Sequence, residues 1–182
     1  MATNTVNIGK GRATGMMLTA AAGTTLPATL TEGALSAWGT EVGYISDAGM
    51  TLELSRDKED IKDWSKTVRR VVITDHDEKA SGACISTDET ALTALFGADA
   101  VTASGDTVTV SLSTGELPEP MAFLFVMVDG DDIIAYGCEE GQMAVVDNVS
   151  FTSGDAIAWP FEVTAMGNKG MVLIKTAGAE ES

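Results

Sequence analysis

Residues Ala122 to Val128 read AFLFVMV, seven apolar side chains in succession. Successive side chains of a strand point to opposite faces, so this strand needs apolar cover on both. A lone antiparallel sandwich usually leaves one face of each sheet to water. The segment therefore demands a helix laid over its second face, or a second subunit against it. It is too short to cross a membrane as a helix, and no other apolar run in the chain approaches that length. Asp129-Gly130 follows it and leads into Ile133 to Tyr136, and Asp-Gly between two apolar runs signals a hairpin.

The remaining apolar residues repeat the strand period. Met50, Leu52 and Leu54 alternate with polar residues, as do Val108, Val110 and Leu112. Further strands are expected at Thr14 to Ala20, Val42 to Ser46, Val68 to Thr74, Lys79 to Ser86, Met143 to Val146, Val149 to Phe151, Ala156 to Met166 and Met171 to Lys175. Turns are expected at Asp47-Ala48-Gly49, Asp75 to Glu78, Asp147-Asn148 and Ser153-Gly154-Asp155. One helix is well signalled. Ser86 and Glu89 have capping-box spacing, Leu92, Leu95 and Phe96 fall on one face, and Gly97 is a natural stop. Thr31 to Ala37 has room for a single helical turn.

Together these features predict a mainly β fold. It is a β-sandwich or barrel of about ten short strands flanked by one α-helix at about 87–97. Residues 1–37, rich in Ala, Thr and Gly, hold too few large side chains for a core of their own and read as an N-terminal arm or strap. The sandwich domain spans 38–176, and 177–182 form a C-terminal tail.

The stretch from Trp38 to Trp64 is the least ordinary. Its strand gives way to a dense mixed-charge run, Arg56 to Lys66, with Ile61 and Trp64 embedded in it. Large apolar groups in a charged segment need a partner surface, in the same chain or another. The run is expected to be a long inter-subunit loop at about 55–68, with Arg56, Asp57, Asp60, Ile61, Lys62, Trp64 and Arg69 as its contact residues. The charge distribution supports this. The chain carries a formal charge of −16, yet seven of its eleven bases lie between Arg56 and Lys79. An acidic body of this kind does not grip nucleic acid, which requires Lys and Arg to displace counterions, and does not dock on anionic membranes.

No catalytic, cofactor or metal site emerges. His76 sits among Asp75, Asp77 and Glu78, but consecutive residues cannot all converge on one ion. Asp129-Gly130-Asp131-Asp132 lacks the ligand spacing and terminal Glu of a calcium loop. Glu139 and Glu140 are adjacent and would point to opposite faces of a strand. No glycine pattern cradles a phosphate and no Ser sits in a nucleophile elbow. Cys84 and Cys138 read as small buried thiols in a reducing compartment rather than a disulfide framework. Lys10 and Arg12 before Met16 to Ala22 imitate a signal peptide, but Thr14, Gly15 and Thr19 interrupt its apolar segment.

The chain resembles the major tail tube proteins of long-tailed (siphovirus-type) bacteriophages. The matching features are Gly23-Thr24-Thr25-Leu26-Pro27, Val42-Gly43-Tyr44-Ile45-Ser46 with Gly49 and Thr51, and Ser55-Arg56-Asp57. Asp60-Ile61-Lys62-Asp63-Trp64, Leu95-Phe96-Gly97, Leu117-Pro118 and Asp155-Ala156-Ile157 follow in the same order. The polar segment Asp75 to Ala83, broken by Gly82, departs from the continuous strand expected there. The resemblance implies a structural virion protein with no catalytic residues and no cofactor. Its copies would form hexameric rings stacked into a hollow tube, the conduit for genome ejection. Its partners would be other copies of itself, a tape-measure protein, and tail-tip and tail-terminator proteins. DNA would be only transiting cargo in an acidic lumen, and no membrane would be bound. The protein would reside in the virion tail, and in the host cytoplasm during assembly. The competing reading of the composition is an acidic β-sandwich that binds a ligand or calcium as a monomer.

Overall fold

The structure, a computed structural model, describes residues 10–11, 17–112, 115–129, 132–151, 154 and 156–175. The expectations for Thr14, Gly130, Asp131, Ser153, Asp155 and the 177–182 tail fall outside those residues. In chain order the elements are β1 (Lys10–Gly11), β2 (Met17–Ala21), α1 (Glu32–Trp38), β3 (Thr40–Gly43), β4 (Ile45–Lys62) and β5 (Val68–Cys84). Then come α2 (Glu89–Phe96), β6 (Val101–Ser104), β7 (Thr107–Val110), β8 (Met121–Asp129), β9 (Asp132–Val145), β10 (Trp159–Ala165), a 3-10 turn at Met166–Asn168, and β11 (Gly170–Lys175).

The fold is mainly β, as expected. One antiparallel sheet runs β3-β2-β8-β9-β10-β5-β4, and β6 pairs with β7 as a separate hairpin. β1 continues the edge of β8 past β2, and β11 continues the edge of β9 past β10. β3 and β4 stand at opposite ends of this path, yet only Tyr44 separates them in the chain. The sheet therefore curls until its ends nearly meet, without closing, and so behaves as a sandwich. The corner depends on Gly43, whose φ of 132° lies outside the range of ordinary side chains. The Ser86 side chain fills the space where a Cβ would sit, and its hydroxyl accepts from the Tyr44 N–H at 2.8 Å.

β8 occupies the middle of the sheet and is buried on both faces. Inside the curl, Phe123 and Phe125 join Met17, Val42, Met143, Phe161 and Val163. Phe125 stacks on Phe123, Tyr136 and Phe161 at 6.1–6.3 Å. Helix α2 closes this side with Ala91, Ala94 and Leu95. On the outer face, Leu124 and Val126 meet Leu18, Leu26, Leu30 and Leu35. The second face is thus covered by the chain itself, through α1 and the strap that precedes it. Segment 17–37, which reads from sequence as part of an arm, lies along its own sheet: β2 pairs with β8, and Leu35 is completely buried.

Four local expectations change. α2 begins later than expected and is capped by Asp88, whose carboxylate accepts from the Ala91 N–H at 2.8 Å. Ser86 is engaged by Tyr44 and takes no part in a capping box. Ile133–Tyr136 and Met143–Val145 belong to one strand, β9, because β8, β10 and β11 supply pairing partners along its length. Val149 to Phe151 forms no strand. Most consequentially, the loop expected at about 55–68 is strand up to Lys62 and a turn only over 63–67, and the turn expected at Asp75 to Glu78 is strand. β4 and β5 pair from Met50↔Gly82 to Lys62↔Val68, with register shifts after Asp57 and Ile61. The mixed charges of β4 hide this, since no apolar alternation marks residues 55–62. Their strand conformation comes from backbone pairing with β5, which supplies β-branched Val68, Val71, Val72, Ile73 and Thr74. Gly82 does not interrupt β5, because Phe161 and Met50 pack over its bare α-carbon.

Leu35→Ala should destabilise the body by about 2–5 kcal/mol through loss of the buried contact over β8. The drop in urea midpoint, measured on dilute monomer, checks it.

Candidate assembly interface

β10 pairs with β5 only between Lys79 and Cys84. Beyond Lys79 the β4–β5 ribbon leaves the sheet and projects as a two-stranded arm. From Glu53 to the turn it is ten residues long, roughly 30 Å at strand rise. Both faces are largely solvated.

The register sorts the arm's side chains into two faces, since directly opposed residues point the same way. One face carries Leu52, Leu54, Arg56, Lys58, Asp60 and Lys62 from β4, opposite Ala80, Glu78, His76, Ile73, Val71 and Val68 from β5. It continues the core's inner surface outward, and Leu52, Leu54, Val68, Val71 and Ile73 are all exposed on it. The other face carries Glu53, Ser55, Asp57, Glu59 and Ile61 opposite Lys79, Asp77, Asp75, Val72 and Arg70. The first face is therefore apolar and basic, the second predominantly acidic. Thr74 and Arg69 are left unpaired where the register shifts. Bulges of this kind add twist and discourage pairing with a stray strand. Residues 56–79 hold seven acids and seven bases, so the arm is formally neutral while the rest of the chain bears the whole excess of negative charge.

The end of the arm is built on Asp63. Its carboxylate accepts from the Ser65 and Thr67 N–H groups at 2.9 and 3.0 Å and from Arg69 Nε at 2.6 Å. Lys66 takes a left-handed conformation (φ 60°) to close the turn. Hydrogen bonds from Ser65 and then Arg69 hold the Asp63 carboxyl below the usual aspartate range. Trp64 stands outside this network and is fully exposed.

The root is anchored by two contacts. Lys79 Nζ lies 3.1 Å from Glu162 Oε1, and this partner holds the Lys79 ammonium above its ordinary pKa. Glu78 is the buried charged residue at the junction. Its Oε2 accepts from the Gly170 N–H at 2.7 Å, and its Oε1 lies at ion-pair distance, 2.9 Å, from His76 Nε2 without hydrogen-bond alignment. Gly170 is required here because the Glu78 carboxylate and the Tyr136 hydroxyl occupy the space of its missing Cβ. Burial, then Cys138 and Glu78, push the Tyr136 hydroxyl far upward in pKa, so it stays protonated. The arm root is thereby tied to the C-terminal strand β11.

Of the residues expected at a contact surface, Arg56, Asp60 and Lys62 share the apolar-basic face, and Asp57 and Ile61 lie on the opposite one. Trp64 caps the end, and Arg69 is committed to Asp63 within the turn. Sequence reasoning missed the exposed row Val68, Val71 and Ile73. Its alternation was visible, but alternation normally marks a core face. Among the described residues no three His, Cys, Asp or Glu side chains are grouped to hold a metal. Cys84 and Cys138 are free and buried, and burial pushes the Cys138 thiol up to about 11. No described helix is long and apolar enough to cross a membrane.

A family model described as phage tail tube protein matches residues 1–176. No curated protein matches the chain.

The turn should respond to acid. Because the folded Asp63 pKa is depressed, its contribution is complete above the ordinary aspartate value of 3.8 and is lost as pH falls through the lower folded value. The Ser65 and Thr67 amide resonances should titrate below the range of a free aspartate. Asp63→Asn should abolish that titration.

Proposed function

The chain belongs to the phage tail tube protein family, and from that premise we propose that it polymerises as stacked hexameric rings through its β4–β5 arm. The family is structural and assigns the protein to the virion tail. The observation that carries the proposal is the row Leu52, Leu54, Val68, Val71 and Ile73 on the arm's apolar-basic face, which stays exposed among the described residues. Each Val, Leu or Ile on that face contributes up to about 1.5–3 kcal/mol when fully buried. Only the surplus over the cost of association appears as affinity, so several such residues acting together are needed.

Electrostatics favours the same use. Copies bearing −16 each repel one another when brought into a ring. A neutral arm with Arg56, Lys58 and Lys62 on its apolar face removes that penalty locally and meets the acidic body of another copy with attraction. In this reading the tube conducts DNA. An acidic wall suits passage, because a basic wall would hold phosphates in tight, salt-sensitive contacts. A tape-measure protein, tail-tip proteins and a tail terminator are the remaining proposed partners, and assembly takes place in the host cytoplasm. No catalytic step is assigned to the chain.

Purified protein should form rings or tubes in negative stain as concentration rises, with Lys and Arg a minority of lumen-lining residues. Val71→Asp with Ile73→Asp should leave the circular dichroism spectrum unchanged and abolish the assemblies. Unchanged tubes from the double variant would overturn the arm's role. A wild-type chain that stays monomeric at every concentration would instead support a ligand- or calcium-binding sandwich.

A further inference from the structure

The end of the arm and a groove beside α2 are complementary in shape class and charge. The groove lies where the C-terminus of α2 faces residues 115–121. It comprises two adjoining cavities of about 370 and 220 Å³ that share Phe96, Ala100, Glu116, Leu117 and Pro118. Its walls are mainly apolar, and Leu112 and Leu117 are 76% and 57% exposed at its mouth. Its rim carries Asp99, Glu116 and Glu119. None of these acids pairs with a base among the described residues. The arm ends in Trp64, which no described residue of its own chain covers, flanked by Lys62, Lys66 and Arg70. These three cations likewise make no ion pair among the described residues.

Resting on the tube reading, we infer that the α2 groove of a second copy receives Trp64, and that the acidic rim pairs with the arm's three terminal cations. An exposed Trp is the side chain most often found as an interface anchor, and it works when a ring of surrounding contacts excludes water. The groove volume falls within the range of pockets that enclose small ring systems. The charge pattern fixes the partner. A tip with three unpaired cations is complementary to the acidic rim of this same chain, whereas the acidic face of the arm is repelled by it. Docking of this kind fixes which surface of the neighbour each arm reaches, a specificity that the apolar face alone does not provide.

The test uses full-length chains that keep Trp64. Ser65→Cys chains are mixed with Leu117→Cys chains and oxidised with diamide. The control partner is Ser36→Cys, on α1 at the opposite face of the sheet. Cross-linked dimer should exceed the control by roughly tenfold or more, as expected when docking raises local thiol concentration. Adding Trp64→Ala to the Ser65→Cys chain should remove that excess. A second arm avoids cysteine altogether. Lys62→Glu with Lys66→Glu should block assembly of otherwise folded protein, and Glu116→Lys with Glu119→Lys in the same chain should restore it. Wild-type tubes without the 65–117 excess, or without charge-reversal rescue, would overturn the groove assignment while leaving the tube reading intact. A wild-type chain with no assemblies would overturn both.

Discussion

Burial of β8 on both faces is the constraint to which the rest of the fold answers. A sheet strand with apolar side chains on both sides must be covered twice, and this chain does so from its own sequence. The curled sheet and α2 enclose Phe123 and Phe125. The strap ending in α1 encloses Leu124 and Val126. The N-terminal segment needs few large side chains, because β2 lends Met17 to the inner core and the strap lays Leu26, Leu30 and Leu35 over an existing surface. Dispersion contacts and removal of apolar area from water do the work on both sides. With the centre secured, the sheet can afford edges that are irregular and partly unpaired.

The arm is the opposite case. Isolated two-stranded ribbons are marginal in water, and this one has almost no packed face beyond Ala80. Its order comes from three sources at different points. Backbone pairing runs along its length, interrupted only where the register shifts at Thr74 and Arg69. At one end it inherits the geometry of the sheet, reinforced by Lys79–Glu162 and by the Glu78 carboxylate on the Gly170 amide. At the other end Asp63 gathers two backbone amides and Arg69. Such a structure is stiff enough to present a fixed pattern of side chains, yet it keeps apolar residues available that a well-packed strand would have spent on its own core.

Much of the body was legible in the sequence, and for a physical reason. Val108 and Val110, Met143, Phe161 and Val163 lie on faces whose burial is decided locally, so period and burial agree. The helix at Leu92, Leu95 and Phe96 was legible for the same reason, although its cap passed from Ser86 to Asp88 once Tyr44 claimed the serine. The arm was not legible as strand. Residues 55–62 carry no alternation of their own, and their conformation is dictated by a partner strand read separately. Val71 and Ile73 alternate correctly but face solvent, because alternation reports that a face is apolar and is silent about what covers it. The importance of charge around Trp64 could be seen in the sequence. That Asp63 and Arg69 shape the turn, leaving Lys62, Lys66 and Arg70 without an ion pair among the described residues, emerges only from the folded chain.

The arm also carries a consequence for growth. It leaves the body in one direction, and no second arm of like construction is present among the described residues. A contact between such a projection and a different surface on another copy is heterologous, and heterologous contacts repeated along an axis do not close on themselves. A stack built this way has polarity. One terminus presents unsatisfied ribbons, apolar and basic, and the other presents bare acidic bodies. The two termini are thus different chemical surfaces, so whatever initiates the stack and whatever ends it must differ in charge and shape, and neither can substitute for the other.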